Sequence, residues 1–219
     1  VSDGPFAAIA IVVAAFFLGS IPFGLFVGKL FFKSDIRTSG SGNIGAANAA
    51  RTYGKGAGVA VLLLDAAKGA FAVFLVPIAH APMELGPVAA LAAVVGHCYS
   101  PWLKFAGGKG VATFLGTLAA FGWMGPALFG VVWIAVVWRT GFASLASILA
   151  TAAVAILIIG TNRSEAGVTA IVFALGSLAL IVARHRANIG RLRAGTEPKL
   201  TFGSPKGPTD SRGKGRALI

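Results

Sequence analysis

From residue 6 to residue 32 the chain carries one charged side chain, Lys29. An apolar run of this kind is what a bilayer selects, because crossing a hydrocarbon core about 30 Å thick takes about 20 residues of helix. A signal peptide also begins apolar, but residues 1–5 hold no basic cluster and the run outlasts a signal-peptide core, so it reads as a retained span. The chain starts at Val1 without an initiator methionine and reads as trimmed there. Further apolar runs follow at 57–78, 87–99, 111–138, 142–159 and 168–183. The run 111–138 is interrupted by Gly122-Trp123-Met124-Gly125-Pro126 and reads as one long span or as two short ones. Composition agrees. Hydrophobic residues make up 56% and charged residues 12%, against roughly a quarter charged in a soluble domain. A soluble α/β enzyme, a disulfide scaffold and a disordered tail protein are excluded. A lone cysteine, Cys98, leaves no intramolecular disulfide and no cysteine-built zinc site.

The charge is lopsided, with 19 Lys+Arg against 7 Asp+Glu and a net of +12. Nucleic-acid binding would gather the basic residues on a soluble face. Membrane topology instead places them in cytoplasmic loops. With seven spans, one side receives Lys33, Arg37, Arg51, Lys55, Lys104, Lys109, Arg139 and the C-terminal tail, and the other only Arg163. Joining 111–138 into one span puts Arg139 on the wrong side. The expectation is an all-α, polytopic integral membrane protein of seven transmembrane helices, with the N-terminus outside and the C-terminus cytoplasmic. Residues 1–202 form its membrane domain. Residues 203–219 form a basic, Gly/Pro-rich disordered tail that meets anionic lipid rather than nucleic acid.

The Gly-rich polar segments all fall on the basic side. In Asp35-Ile36-Arg37-Thr38-Ser39-Gly40-Ser41-Gly42-Asn43-Ile44-Gly45-Ala46-Ala47-Asn48, glycines let backbone amides approach a ligand and form an anion nest. Ser39, Ser41 and Asn43 add neutral donors, and Arg37 and Arg51 add charge. The alternative is a flexible linker, which does not normally interleave Asn and Arg with helix-favouring alanines. The spacing is not a Walker loop. The second segment is Gly96-His97 followed by Phe105-Ala106-Gly107-Gly108-Lys109-Gly110, which opens directly into an apolar helix. Free amides at a helix start, with Lys109 in the first turn, attract an anion; the alternative is a helix start with a snorkelling lysine. Two such sites suit a substrate pair carrying two phosphates.

Other polar residues keep two readings. Asp65 and Lys68, three apart, make an ion pair inside the bundle or a functional charge pair. Ser144 and Ser147 are helix-packing or capping residues, or site residues. The basic run of Arg184-His185-Arg186-Ala187-Asn188 suits a juxtamembrane patch, which explains its arginines but not its His and Asn. Gly19-Ser20-Ile21-Pro22-Phe23-Gly24 breaks the first span and either lines a cavity or packs closely. There is no metal-ligand spacing, no His-x4-Asp pattern and no nucleophile elbow, so a covalent serine mechanism has little support.

Together these segments resemble the bacterial membrane acyl-phosphate:glycerol-3-phosphate acyltransferases. The matching stretches are GSIPFG at 19–24, DIRTSGSGNIGAAN at 35–48, GHCYSPWLKFAGGKGVAT at 96–113, SLAS at 144–147 and RHRANIGRLRAGTE at 184–197. The resemblance implies transfer of a fatty acyl group from acyl phosphate to the 1-hydroxyl of sn-glycerol 3-phosphate. The products are 1-acylglycerol 3-phosphate and phosphate, at the cytoplasmic face of the bacterial inner membrane, in the first committed step of phospholipid synthesis. It implies no cofactor, no metal and no acyl-CoA, and seven spans. It makes Arg37, Ser41 and Asn43 phosphate contacts, Lys109 the lysine of the Gly-Gly-Lys-Gly turn, and Ser144, His185 and Asn188 polar active-site residues. Ser39, Gly40, Gly42, Asn48, Arg51, His97, Gly107, Gly108 and Gly110 complete the expected binding set. The general base is His185 or a bound phosphate oxygen. Two departures, Gly141-Phe142 and Ala187, lie outside the Gly-rich loops. A phosphate transporter should instead place its site at the midplane between repeated halves; a scaffold has no need of paired basic turns. An acyl-CoA-dependent transferase is the nearest rival.

Overall fold

A computed structural model describes residues 4–161 and 167–200. The expected tail at 203–219 and the Arg163 loop lie outside the described residues. The described residues form helices joined by loops, with no strand among them. Its helices are α1 (Pro5–Ser20), α2 (Phe23–Phe32), α3 (Ala46–Tyr53), α4 (Lys55–Ile78), α5 (Gly86–Cys98), α6 (Val111–Phe121), α7 (Met124–Thr140), α8 (Ala143–Thr161), α9 (Val168–Arg184) and α10 (Arg186–Arg193). The segment Pro5–Phe32 and the helices α4 and α8 are each long and apolar enough to cross a membrane; α6 and α7 are shorter apolar helices. α9 and α10 meet at a bend of 58° at His185. The interruption at 122–126 ends α6 at Phe121, with Gly122 at φ 139°, a conformation that strongly favours glycine.

Two helices lay outside the expected spans. α3 and α10 are short and polar, so no run of hydrophobicity announces them. α3 begins where Asn43 Oδ1 accepts the Gly45 amide at 2.9 Å.

Packing follows small residues. α1 lies against α5, and α4 against α6; α9 joins α5 to α8, and α8 packs on α7. A Cβ at Gly19 would overlap the Ala93 backbone on α5, and one at Gly96 would overlap Phe16 O on α1. Across α4 and α6, Gly69 meets Thr113 O and Gly116 meets Ala66 O. Without a hydrophobic driving force between helices in lipid, such close approach is what holds spans together. Gly116→Ala is therefore expected to cost about 1–3 kcal/mol by overpacking, read as a lower melting temperature of the purified protein in detergent.

The central core gathers Val94, Phe114, Phe129, Val154, Phe173 and Ile181, with Phe114 and Phe173 rings 5.5 Å apart. Large apolar side chains also cover the outside, including Phe31, Val131, Ile134, Trp138 and Ile156. A water-soluble protein does not expose that much apolar surface; lipid is its natural solvent.

The first apolar segment breaks at Ile21–Pro22, because Pro22 has no N–H to continue the ladder. The carbonyls released there are occupied rather than open to a cavity. Ser100 Oγ donates to Ser20 O at 2.6 Å, and Lys68 Nζ donates to Ile21 O at 2.7 Å. Trp102 Nε1 adds a bond to Ser20 Oγ at 2.8 Å. Of the two readings of GSIPFG, close packing accounts for Gly19, and for Gly24 against Ile44 O.

Candidate functional site

Four polar segments, far apart in sequence, meet at one end of the helices. The turn before α6 meets the α9–α10 bend, since Arg184 Nε donates to Gly108 O at 2.9 Å and its Nη2 to Gly107 O at 2.5 Å. The α7–α8 turn meets the segment after α10: Leu200 N donates to Gly141 O at 2.7 Å. The loop after α2 and helix α3 join through Arg51, whose Nη2 donates to Ser41 Oγ at 3.3 Å and whose charge is felt by Glu197 and Arg191.

At the centre lies a chain of short polar contacts. Lys109 Nζ donates to Asn188 Oδ1 at 2.6 Å. Asn188 Nδ2 and Ser144 Oγ both donate to Glu197 Oε1, at 2.6 and 2.7 Å. Arg191 Nε donates to Glu197 Oε2 at 2.7 Å, and the Glu197 side chain is only 5% exposed. His185 is 2% exposed, and its Nδ1–H donates to Ile181 O at 2.7 Å. That bond fixes the neutral tautomer with the lone pair on Nε2. Burial, followed by the Lys109 charge, takes His185 down to about 4. Burial also takes Lys109 down to about 8, against the attraction of Glu197 and with repulsion from Arg191, Arg51 and Arg184. Burial works to raise the Glu197 carboxyl, but hydrogen bonds from Asn188, Ser144 and Arg191 outweigh it and hold it below its ordinary value. One carboxylate thus faces Lys109, Arg51 and Arg191, with Arg184 near Lys109, and the surplus of positive charge suits an anionic ligand.

The structure brings together Lys109, Ser144, Asn188 and Arg51 with Ser41, and sets His185 beside them. Arg37 stands apart. Its guanidinium is paired with Asp35 at 2.6 Å, 45% exposed, and no described contact joins it to the Lys109–Asn188–Glu197 chain. Hydrogen bonds from Arg37 take Asp35 down to about 2.

Several amides of the two Gly-rich loops are already committed, which narrows the donors left for an anion. Gly107 N donates to Cys98 O at 3.2 Å and Gly108 N to His97 O at 2.9 Å. In the first loop Gly42 N donates to Ser39 O at 3.0 Å, and Ser41 N to Asn48 Oδ1 at 2.8 Å. Asn48 is buried, and its Nδ2 lies within bonding distance of Ile36 O, Ser39 O and Asn43 O. Its side chain ties the loop together. His97 is 3% exposed and lies behind Gly108. Gly40 and Gly42 turn the first loop at φ 59° and 69°, and Gly110 caps α6 at φ 85°. Ser147 Oγ accepts from Trp133 Nε1 at 3.2 Å and donates to Ala143 O, so packing accounts for it.

Glu197 and Arg191 were not singled out by the sequence reading, and Arg184 was read there as part of a juxtamembrane patch. Their signal was present: Glu197 is the one acid in a stretch that holds Arg184, Arg186, Arg191, Arg193 and Lys199. Among the described residues, no three His, Cys, Asp or Glu side chains gather as metal ligands.

The chain matches the family described as Glycerol-3-phosphate acyltransferase over residues 9–195. A glycerol-3-phosphate acyltransferase of Ruegeria pomeroyi is 45% identical over 188 residues, covering 86% of this chain and 90% of the relative. One of Dinoroseobacter shibae is 43% identical over the same shares. Among solved structures, the glycerol 3-phosphate form of PlsY, an integral membrane glycerol 3-phosphate acyltransferase, superposes with TM-score 0.82 at 35% identity. It covers 89% of this chain and 96% of the other. The lysophosphatidic acid form of PlsY gives TM-score 0.80.

Proposed function

The chain belongs to the glycerol-3-phosphate acyltransferase family, and on that premise we propose that it acylates the 1-hydroxyl of sn-glycerol 3-phosphate with an acyl phosphate donor. The observation that carries the reading is the buried Lys109–Asn188–Glu197–Ser144 chain among surplus arginines, at the meeting of the four polar segments. Lys109 and Arg51 hold phosphate charge, and Ser41, Ser39 and Asn43 supply neutral donors. Arg37 joins them by leaving Asp35, an exchange that an exposed ion pair permits because its net worth is small. Gly40, Gly42, Gly107, Gly108 and Gly110 shape the two turns.

The reaction needs no covalent enzyme intermediate. The glycerol 1-hydroxyl attacks the acyl carbon, the bond from that carbon to the phosphate oxygen breaks, and inorganic phosphate leaves with the electron pair. Bringing two anions together is the main obstacle, and positioning supplies about 7–11 kcal/mol of the barrier. With its basicity lowered to about 4, His185 is a poor proton acceptor at neutral pH. A phosphate oxygen, with a second pKa of about 6, is the better base. No metal or organic cofactor takes part in this scheme.

We infer seven crossings, with Pro5–Phe32 as one broken span followed by α4, α5, α6, α7, α8 and α9, of which α5 and α6 have only 13 and 11 residues. The convergence of basic segments at one end supports an N-terminus outside, a C-terminus inside and a site at the cytoplasmic face of a bacterial inner membrane. Residues 1–202 then constitute the catalytic unit, and the basic residues of 203–219 meet anionic lipid. The donor enters from the bilayer, and the acceptor from water.

The deciding assay offers sn-glycerol 3-phosphate with palmitoyl phosphate, and separately with palmitoyl-CoA, following phosphate release and lysophosphatidate. Turnover with palmitoyl phosphate alone is the expected result; turnover confined to the CoA ester overturns the donor.

The pH profile tests Lys109. Its ammonium is charged below about 8 and neutral above, so attraction for the substrate phosphate is lost as pH rises through that value. The expected kcat/KM falls about tenfold per unit above pH 8, because this ratio reports the free enzyme. Lys109→Arg, whose charge persists, is expected to lose that limb. A wild-type profile flat to pH 10 contradicts the assignment.

A further inference from the structure

Behind the turn that carries Lys109 lies a charged cluster that the proposed chemistry does not touch. Asp65 and Lys68 sit one turn apart on α4, each side chain 1% exposed, with Nζ and Oδ1 2.7 Å apart. Lys68 Nζ also reaches Ile21 O, at the break between α1 and α2. His97, in the last turn of α5, places Nδ1 3.7 Å from Asp65 Oδ1. Its Nε2 edge abuts Gly108, where an added Cβ would overlap it. The His97 carbonyl also accepts the Gly108 amide, at 2.9 Å. Arg184 binds the carbonyls of Gly107 and Gly108. Gly69, next to Lys68, lies against Thr113 O on α6, the helix that Lys109 opens.

Charges within a span are costly to bury, and packing alone does not call for them. A bare structural pair is complete with Asp65 and Lys68. This cluster goes further and links three elements: the broken first span, the middle of α4 and the end of α5. Its last member touches the turn whose next residue is Lys109.

We propose that Asp65, Lys68 and His97 are positioning residues that hold the Gly107–Gly108 turn so that Lys109 meets the substrate phosphate. The inference rests on the reading of Lys109 given above. His97 acts through the turn and not on the substrate. Lys68 makes the placement of the turn depend on the conformation of the Ile21–Pro22 break.

The test compares neutral pairs in the purified full chain. Asp65→Leu/Lys68→Met removes both charges together and leaves no unpaired ion. It is expected to raise KM for glycerol 3-phosphate at least tenfold, with kcat changed less than threefold. Asp65→Asn/Lys68→Gln keeps a polar group facing His97 and a donor at the Lys68 position for Ile21 O, and is expected to restore KM to within threefold of wild type. A merely structural cluster would instead lose active protein at constant KM, and that result overturns the proposal. His97→Ala changes no buried ion pair and carries the same expectation if the double variant does not fold; an unchanged KM there also overturns it. Lys109→Ala in the same assay separates the two levels. If Lys109→Ala retains full activity, the reading of the site fails. If Lys109→Ala is inactive while the cluster variants keep wild-type KM, only the positioning role fails.

Discussion

Lys109→Ala is expected to lower kcat/KM about 10²–10³-fold, the range seen when one preorganised donor is removed from a reacting centre. The ammonium lies 2.6 Å from Asn188 Oδ1, in a largely buried position where its field is weakly screened. Its removal leaves Asn188 without that partner, and the substrate phosphate with Arg51 and Arg37 alone. The protein should still insert and purify, because Lys109 makes one side-chain bond to the rest of the fold. Measurement is by steady-state turnover at several glycerol 3-phosphate concentrations. Full activity would remove the phosphate-cradle argument. Arg37→Ala discriminates further. Its effect should be comparable if the guanidinium leaves Asp35 for the substrate, and small if the exposed pair seen here persists during turnover.

The second large effect is expected at Glu197. Its carboxylate accepts from Ser144, Asn188 and Arg191 and stands among the charges of Lys109, Arg51 and Arg191. Hydrogen bonds to a charged group contribute about 1.5–3 kcal/mol each. Since water re-solvates part of what is exposed, Glu197→Ala should cost about 3–5 kcal/mol, within the range for breaking a buried pair. Asn188 would lose the bond that orients its amide toward Lys109, so activity should fall with stability. Glu197→Gln keeps an oxygen for Ser144 and Asn188 and should be milder. Melting in detergent and turnover on the same preparations check this. A Glu197→Ala protein with wild-type melting and turnover would show the cluster to be dispensable.

Much of the fold was legible because lipid makes a blunt demand. A helix in hydrocarbon must be apolar along its whole length and bond its own backbone, so the helical core of every expected span can be read from hydropathy alone. The break at Pro22 and the turn at Gly122 were legible for a related reason, since each residue has restricted or exceptional backbone chemistry. α3 and α10 were not legible. They lie at the polar end, where water satisfies backbone groups and hydropathy carries no period.

The site was legible in part. Lys109, Ser144, His185 and Asn188 stood out as polar residues in or beside apolar helices. Glu197 did not, because an acid in a basic tail looks like a solvated surface until Ser144, 53 residues earlier, is brought to 2.7 Å. The two Gly-rich loops misled in one respect. Glycine content shows where backbone amides can approach a ligand, and not whether Cys98 O, His97 O or Asn48 Oδ1 has already taken them.

By itself, then, the sequence determined that this chain is a helical membrane protein with its basic, glycine-rich segments sorted to one side. Hydrophobic burial and the positive-inside rule act on local composition, and local composition is written residue by residue. Only the tertiary structure decided which donors are spent, which acid faces the lysine and which buried ions stand behind the turn. Those outcomes depend on distances of under 4 Å between residues as far apart in sequence as Lys109 and Asn188, or Lys68 and Ile21, and such distances exist only once the helices have packed.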